Sequence, residues 1–225
     1  MPRVELPIEA FVNRWHDCQE CNLAATRRRI VLYRGSVPAN ILLCGEAPGA
    51  SENMTGQPFT GPAGHKLEEW LAQTVEPGLT WALCNLVCCL PIYGGLKGNP
   101  EHDEIMACQP RLEEFIALVK PRLLVAVGQV AWDYLEQGFK YSVDLPEPRP
   151  RLAHITHPSA ILQARPAQKG QMERRAIVTL ANALEKEFGH GEGGGKCPRE
   201  AARSGWASTL ELVAAWLPSS VMGAC

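Results

Sequence analysis

Four stretches of this sequence carry side chains whose types and spacing suit chemistry. Cys18 and Cys21 form a C-x-x-C pair, a spacing used by zinc sites, iron-sulfur clusters and redox dithiols. Gly45 to Gly64, GEAPGASENMTGQPFTGPAG, holds two carboxylates, Glu46 and Glu52, and one aromatic ring, Phe59. Its glycines let the backbone approach a ligand closely, and Pro48, Pro58 and Pro62 restrict how far it wanders. Asn85 stands near the end of an apolar run, with Cys88 and Cys89 just after it. Pro158 biases His157 towards extended backbone, which fixes the imidazole at a strand end.

These residues need elements to hold them. Ile41 to Cys44 is an apolar run that reads as a buried strand, and Leu67, Trp70, Leu71 and Val75 recur at helical spacing after the glycine-rich stretch. That stretch therefore joins a strand to a helix. A loop of about twenty residues inside a compact domain is uncommon unless it is functional. Leu79 to Val87 reads as a second strand, Leu123 to Val127 as a third and Leu152 to Thr156 as a fourth. Helices are expected over residues 7 to 17, after Pro100 as far as Pro121, from Gly128 onward, and from Met172 to Phe188. Ile30 to Tyr33 is β-rich, and Gly35 to Pro38 reads as a turn.

Strands alternating with helices predict a three-layer α/β/α sandwich with a four-stranded, mainly parallel sheet, because parallel neighbours need crossover helices. Ligands of such sheets bind beyond the C-terminal ends of the strands. Gly45 to Phe59, Asn85 and His157 are expected to converge there. Residues 1 to 188 form the expected domain; 189 to 225 read as a linker and one amphipathic helix.

A chain of 225 residues suffices for one good-sized core. It contains no apolar run of the roughly 20 residues that span a bilayer, and its N-terminus lacks the apolar segment of a secretory signal. A cytosolic or nucleoid location without membrane contact is expected. Nine cysteines in that compartment favour metal ligation and burial over disulfides. A net charge of -2 argues against a broadly basic nucleic-acid-binding surface but permits a local patch from Arg27, Arg28, Arg29 and Arg34.

Six motifs in order resemble the family-4 uracil-DNA glycosylases, the iron-sulfur members of their superfamily. They are C-x-x-C-x-L-A at 18 to 24, GEAPG at 45 to 49, T-G-x-P-F-x-G-x-A-G at 55 to 64, N-x-V-x-C at 85 to 89, A-C-x-P at 107 to 110 and HPS at 157 to 159. The resemblance runs from about Cys18 to Phe188. It implies a four-iron four-sulfur cluster on Cys18, Cys21, Cys89 and Cys108; spacing alone leaves zinc open. Cys88 competes with Cys89, which has the family's distance from Asn85. Cys44 and Cys84 read as buried hydrophobes, and Cys197 and Cys225 lie outside the match.

The implied reaction is hydrolysis of the bond between uracil and deoxyribose in DNA, single- or double-stranded, by a monomer. Phe59 is expected to stack on the extruded base. Asn85 is expected to accept from uracil N3 and donate to O4, a pattern that cytosine reverses. His157 is expected to hydrogen-bond O2 as charge develops, and Glu46 or Glu52 to handle water. Backbone of Gly45 and Ala47 is expected to line the base pocket, with Ser159 and Ala160 to Leu162 against the DNA. Three departures stand out. Asn53 replaces the Asp of many relatives, Pro91 to Pro100 is longer than usual, and the connection before His157 is short. A superfamily branch that traps uracil covalently uses a basic loop with a nucleophilic His. The corresponding stretch here, Ile92 to His102, has one Lys and His102.

Overall fold

The computed structural model describes residues 7–141 and 148–189. The expected C-terminal linker and helix, with Cys197 and Cys225, lie outside the described residues after Gly189.

In chain order the elements are α1 (Pro7–Trp15), a 3-10 turn (Asn22–Ala25), β1 (Arg34–Gly35), β2 (Ile41–Gly45), α2 (Ala50–Thr55), α3 (Pro62–Thr74) and β3 (Trp81–Asn85). They continue with β4 (Ile92–Tyr93), β5 (Leu96–Lys97), α4 (His102–Val119), β6 (Leu123–Val127), α5 (Gln129–Tyr141), β7 (Arg151–Ile155), α6 (Pro158–Gln163) and α7 (Pro166–Phe188). The main sheet has the order β1-β3-β2-β6-β7. Its four parallel strands are those expected from the sequence. A fifth strand corrects the expected count: Arg34 and Gly35 pair antiparallel with Leu83 and Ala82. The β-rich Ile30 to Tyr33 forms no strand, and the edge is made instead by residues read partly as a turn. Gly35 permits this because a Cβ there would lie 2.4 Å from the Trp81 carbonyl oxygen.

All five residues of β2 and of β6 are buried, as continuous apolar runs covered on both faces must be. Alternate side chains then serve opposite layers. Ile41 and Leu43 pack with Leu67 and Trp70 of α3 and Leu180 and Leu184 of α7. Leu42 and Cys44 face Phe11 of α1, Phe115 of α4 and Ala131 of α5. The result is the expected three-layer sandwich.

From β2 the chain crosses to β3 on one side of the sheet, whereas from β6 it crosses to β7 on the other. The C-terminal ends of β2 and β6 therefore flank a topological switch point, where helices diverge and leave a crevice. Register aligns that edge: Gly45 lies opposite Asn85, and Val127 opposite Ile155. The long stretch Pro91 to Pro100 is a small hairpin, with β4 antiparallel to β5. Its base is rooted on α4, since the Tyr93 hydroxyl donates to Glu104 and lies 3.2 Å from the Asn99 carbonyl oxygen.

Candidate active site

Gly45 ends β2, where both neighbours press in. A Cβ there would stand 2.5 Å from Asn85 Oδ1 and 2.7 Å from Phe59 Cζ, so the amide and the ring meet over a bare backbone. Asn85 is the last residue of β3 and only 3% exposed. Phe59 holds a left-handed backbone, φ 56°, which is costly for an aromatic residue without surrounding support. The support is visible: Arg34 Nη2 donates to the Phe59 carbonyl at 3.0 Å, and that arginine is itself paired with Glu68. Gly64 packs so tightly that any Cβ would overlap the same carbonyl.

The Phe59 ring stacks against His157, with centroids 6.3 Å apart and an interplanar angle of 27°. His157 caps α6. Its Nδ1 accepts from the Ser159 backbone N–H at 3.1 Å and lies 2.7 Å from Ser159 Oγ. A backbone N–H can only donate, so Nδ1 carries no proton and Nε2 is the N–H of the ring. Burial, aided by the Lys97 charge, pushes the His157 pKa down and keeps the ring neutral; Glu52 opposes this weakly.

His157 and Ser159 share a cavity of about 330 Å³ with Glu46, Ala47, Gly128 and Lys97. Glu46 is half-buried, and burial raises its pKa against the opposing charge of Lys97. Lys97 comes from the hairpin, next to Leu96, which is 76% exposed. One edge of the sheet thus gathers Gly45, Glu46, Ala47, Phe59, Asn85, His157 and Ser159.

The two carboxylates part company. Glu52, 8% exposed, has both oxygens committed to its own loop: Oε2 accepts from Gly49 N–H at 3.0 Å, and Oε1 from Thr60 and Gly61 N–H at 2.9 and 2.8 Å. It caps α2, which the sequence had left as part of a long loop, and closes the loop that carries Phe59. The neighbouring Asn53 has a comparable duty, with Oδ1 accepting from the Arg28 and Arg29 backbone N–H groups. The expected basic patch is also partly dismantled. Arg34 turns to Glu68 and Phe59, and Arg27 Nη1 points at Cys89 Sγ from 3.8 Å.

A second pocket is lined in part by Val87, Cys88 and Cys89, which follow the end of β3. Cys18, Cys21, Cys88, Cys89 and Cys108 all line it, with Arg27 and Arg111. Among the described residues no three His, Cys, Asp or Glu side chains converge on a point that could hold a single metal ion. Cys89 feels the charges of both Cys21 and Cys108, and burial pushes its pKa up to about 12. Cys88 instead hydrogen-bonds Cys108, whose thiol is held well below its ordinary value by that bond and by Arg111. Arg111 was missed in the sequence. Its signal was a charged residue three positions after Cys108 among the buried, mostly apolar positions of the α4 helix, beside Leu112 and Phe115.

A parallel sheet with a crevice at its switch point, lined by an acid and a neutral imidazole, with a ring against that imidazole and an amide at the adjoining strand end, defines a doubly wound α/β protein with a small polar-ligand site. The family model described as uracil DNA glycosylase superfamily matches residues 32–181, and the chain belongs to that superfamily. A type-4 uracil-DNA glycosylase of Pyrobaculum aerophilum is 29% identical over 184 residues, covering 76% of this chain and 91% of the relative. Its counterpart in Thermotoga maritima is 28% identical over 187 residues, covering 80% and 96%. That of Saccharolobus solfataricus is 36% identical over a shorter 131 residues, 57% of this chain and 58% of the relative. These relatives put the chain in the type-4 branch.

Proposed function

We propose that this protein hydrolyses the N-glycosidic bond of uracil extruded from DNA, the first step of base excision repair. The observation that carries the reading is the meeting of Glu46, Phe59, Asn85 and His157 above one sheet edge. Extrusion costs roughly a few kcal/mol, which the pocket must recover from the base. Phe59, held rigidly in a left-handed backbone, stacks on the uracil ring. Asn85 accepts from N3–H and donates to O4, so cytosine meets donor against donor.

As the glycosidic bond lengthens, negative charge gathers on uracil O2 and positive charge on the sugar. His157 answers the first by donating from Nε2–H while Ser159 holds its Nδ1 side. This assigns electrostatic stabilisation to a neutral imidazole, the state that burial of His157 supports. Glu46, which lines the cavity, positions water and offsets the sugar charge. Glu52 acts through the loop as a positioning residue. Backbone of Gly45 and Ala47 lines the pocket. Of the apolar residues after Ser159, Ile161 belongs to the core, which leaves exposed Leu162 to enter the gap in the stack.

The thiol pocket fits the iron-sulfur cluster implied by the family. Four thiols, Cys18, Cys21, Cys89 and Cys108, share its walls with two arginines, and two buried nitrogens of Arg111, Nε and Nη1, have no hydrogen-bond partner within the protein. The cluster, when bound, supplies a cross-link between the N-terminal segment, the end of β3 and α4. Covalent trapping is disfavoured by His102, whose Nδ1 is engaged 2.8 Å from the Tyr134 hydroxyl and which is not among the cavity-lining residues.

Incubation with single- and double-stranded uracil DNA followed by alkali tests the reading. Strand breakage at uracil is expected, and is expected to be lost in His157→Ala with DNA binding retained. An SDS-resistant adduct without breakage would establish the trapping alternative instead.

A further inference from the structure

Arg111 is the most deeply buried charge among the described residues, 1% exposed, and none of the carboxylates there forms a salt bridge with it. Its Nη2 donates to two main-chain carbonyls, those of Asn85 and Leu86, both at 2.7 Å, and lies 3.7 Å from Cys108 Sγ. Its Nε and Nη1 are buried without a hydrogen-bond partner. A guanidinium so placed is tolerable only when an anion faces it. The side-chain acceptor beside it is Cys108 Sγ, and Cys108 shares its pocket with Cys18, Cys21 and Cys89, so the anion is sought in whatever those sulfurs hold.

We infer that Arg111 is the counter-cation of the cluster held by Cys18, Cys21, Cys89 and Cys108, and that through the carbonyls of Asn85 and Leu86 it positions the uracil-reading amide. This rests on the cluster reading above and extends it to substrate recognition. A cluster on four thiolates carries net negative charge, and one buried cation beside it offsets part of that charge. The same cation ties down the peptide at the C-terminal end of β3, which orients the Asn85 side chain in the base pocket. Without the anion the guanidinium loses its partner and its reason to stay, and the two carbonyls lose their donor. Cluster loading and uracil recognition are thereby joined at one side chain, even though the two pockets share no lining residue.

The test compares full-length wild type, Arg111→Met and Arg111→Lys, purified without oxygen. Three quantities are read: iron per chain, the one-electron reduction potential of the bound cluster, and inhibition by free uracil beside affinity for abasic-site DNA. Arg111→Met is expected to favour the oxidised cluster about tenfold, a potential about 59 mV lower. It is expected to weaken free-uracil inhibition about tenfold while abasic-DNA affinity moves less than about threefold, because only base recognition depends on the amide. Arg111→Lys keeps the charge without the fork that reaches two carbonyls and a sulfur, so the potential returns while uracil inhibition stays weak. An iron-loaded Arg111→Met with unchanged potential and unchanged uracil inhibition overturns the inference. Should that variant not fold, Arg111→Lys decides: wild-type uracil inhibition in it overturns the inference, and weakened inhibition at wild-type potential upholds it. Failure of the underlying reading is seen separately, as wild type without iron.

Discussion

Replacing Glu52 with Gln separates a loop-holding carboxylate from a catalytic one. In the native loop two oxygens take three backbone N–H groups, from Gly49, Thr60 and Gly61. Glutamine retains one oxygen, enough for Thr60 and Gly61, but turns an NH₂ group on the Gly49 N–H. Hydrogen bonds to a charged acceptor contribute roughly 1.5–3 kcal/mol against roughly 0.5–1.5 for neutral ones, so the two retained bonds lose about 1 kcal/mol each. The donor-to-donor clash adds about 1–3 kcal/mol for unsatisfied groups. Allowing for some relaxation, the loss is about 3 kcal/mol, a fall in Tm of about 6–12 °C for a chain of this size.

Glu46→Gln has the opposite signature. Burial already disfavours the ionised Glu46, so a neutral isostere costs the fold nothing, and Tm should hold within about 2 °C or rise. Its excision rate should fall about 10²-fold or more, the scale of a lost general base. Thermal melts and single-turnover excision of uracil from one oligonucleotide read both effects on the same samples. The reasoning is refuted if Glu52→Gln melts with the wild type yet loses as much rate as Glu46→Gln, for then its hydrogen bonds are incidental and its charge is catalytic.

The pH dependence of kcat/KM should show an acid limb above the ordinary carboxylate value of 4.5, because burial keeps Glu46 protonated, and inactive as a base, to higher pH. Glu46→Gln removes that limb; Lys97→Gln moves it further up, since the Lys97 charge opposes the shift. Lys97 is absent from the salt bridges among the described residues and lies beside exposed Leu96 on the cavity rim, so it is free to meet a phosphate. Measured by fluorescence anisotropy, Lys97→Gln should reduce the slope of log K against log salt by about 1 with any uracil-containing sequence. For the thiol pocket, Cys89→Ser should lose bound iron and Cys88→Ser retain it, assayed as iron and acid-labile sulfide per chain. The reverse result would exchange the two cysteines as ligands. Asn85→Asp should weaken discrimination between uracil and cytosine, read as relative excision from matched oligonucleotides.

What the sequence disclosed and what it hid divide along a physical line. Ile41 to Cys44 and Leu123 to Val127 announce buried parallel strands because every residue in them must be apolar, and the placement of Asn85 and His157 at strand ends follows from topology alone. The edge strand Arg34–Gly35 was invisible because two residues paired at a sheet rim need no hydrophobic pattern; their pairing is set by Gly35 lying against Trp81. Side-chain direction was equally hidden. Glu46 and Glu52 are six residues apart in one glycine-rich stretch and nothing in their types distinguishes them. The distinction arises from the chain reversal that brings Thr60 and Gly61 back onto Glu52, which turns that residue's charge inward and leaves Glu46 to face the crevice. The protonation state of His157 is of the same kind. Pro158 makes an N-cap foreseeable, but only the folded first turn of α6 aims the Ser159 N–H at Nδ1 and thereby sends the imidazole proton to Nε2. A site read from sequence is therefore a list of candidate groups. Which atom of each is taken up within the protein is decided by backbone donors that carry no residue-specific signature, and here those donors engage Glu52 and His157 Nδ1.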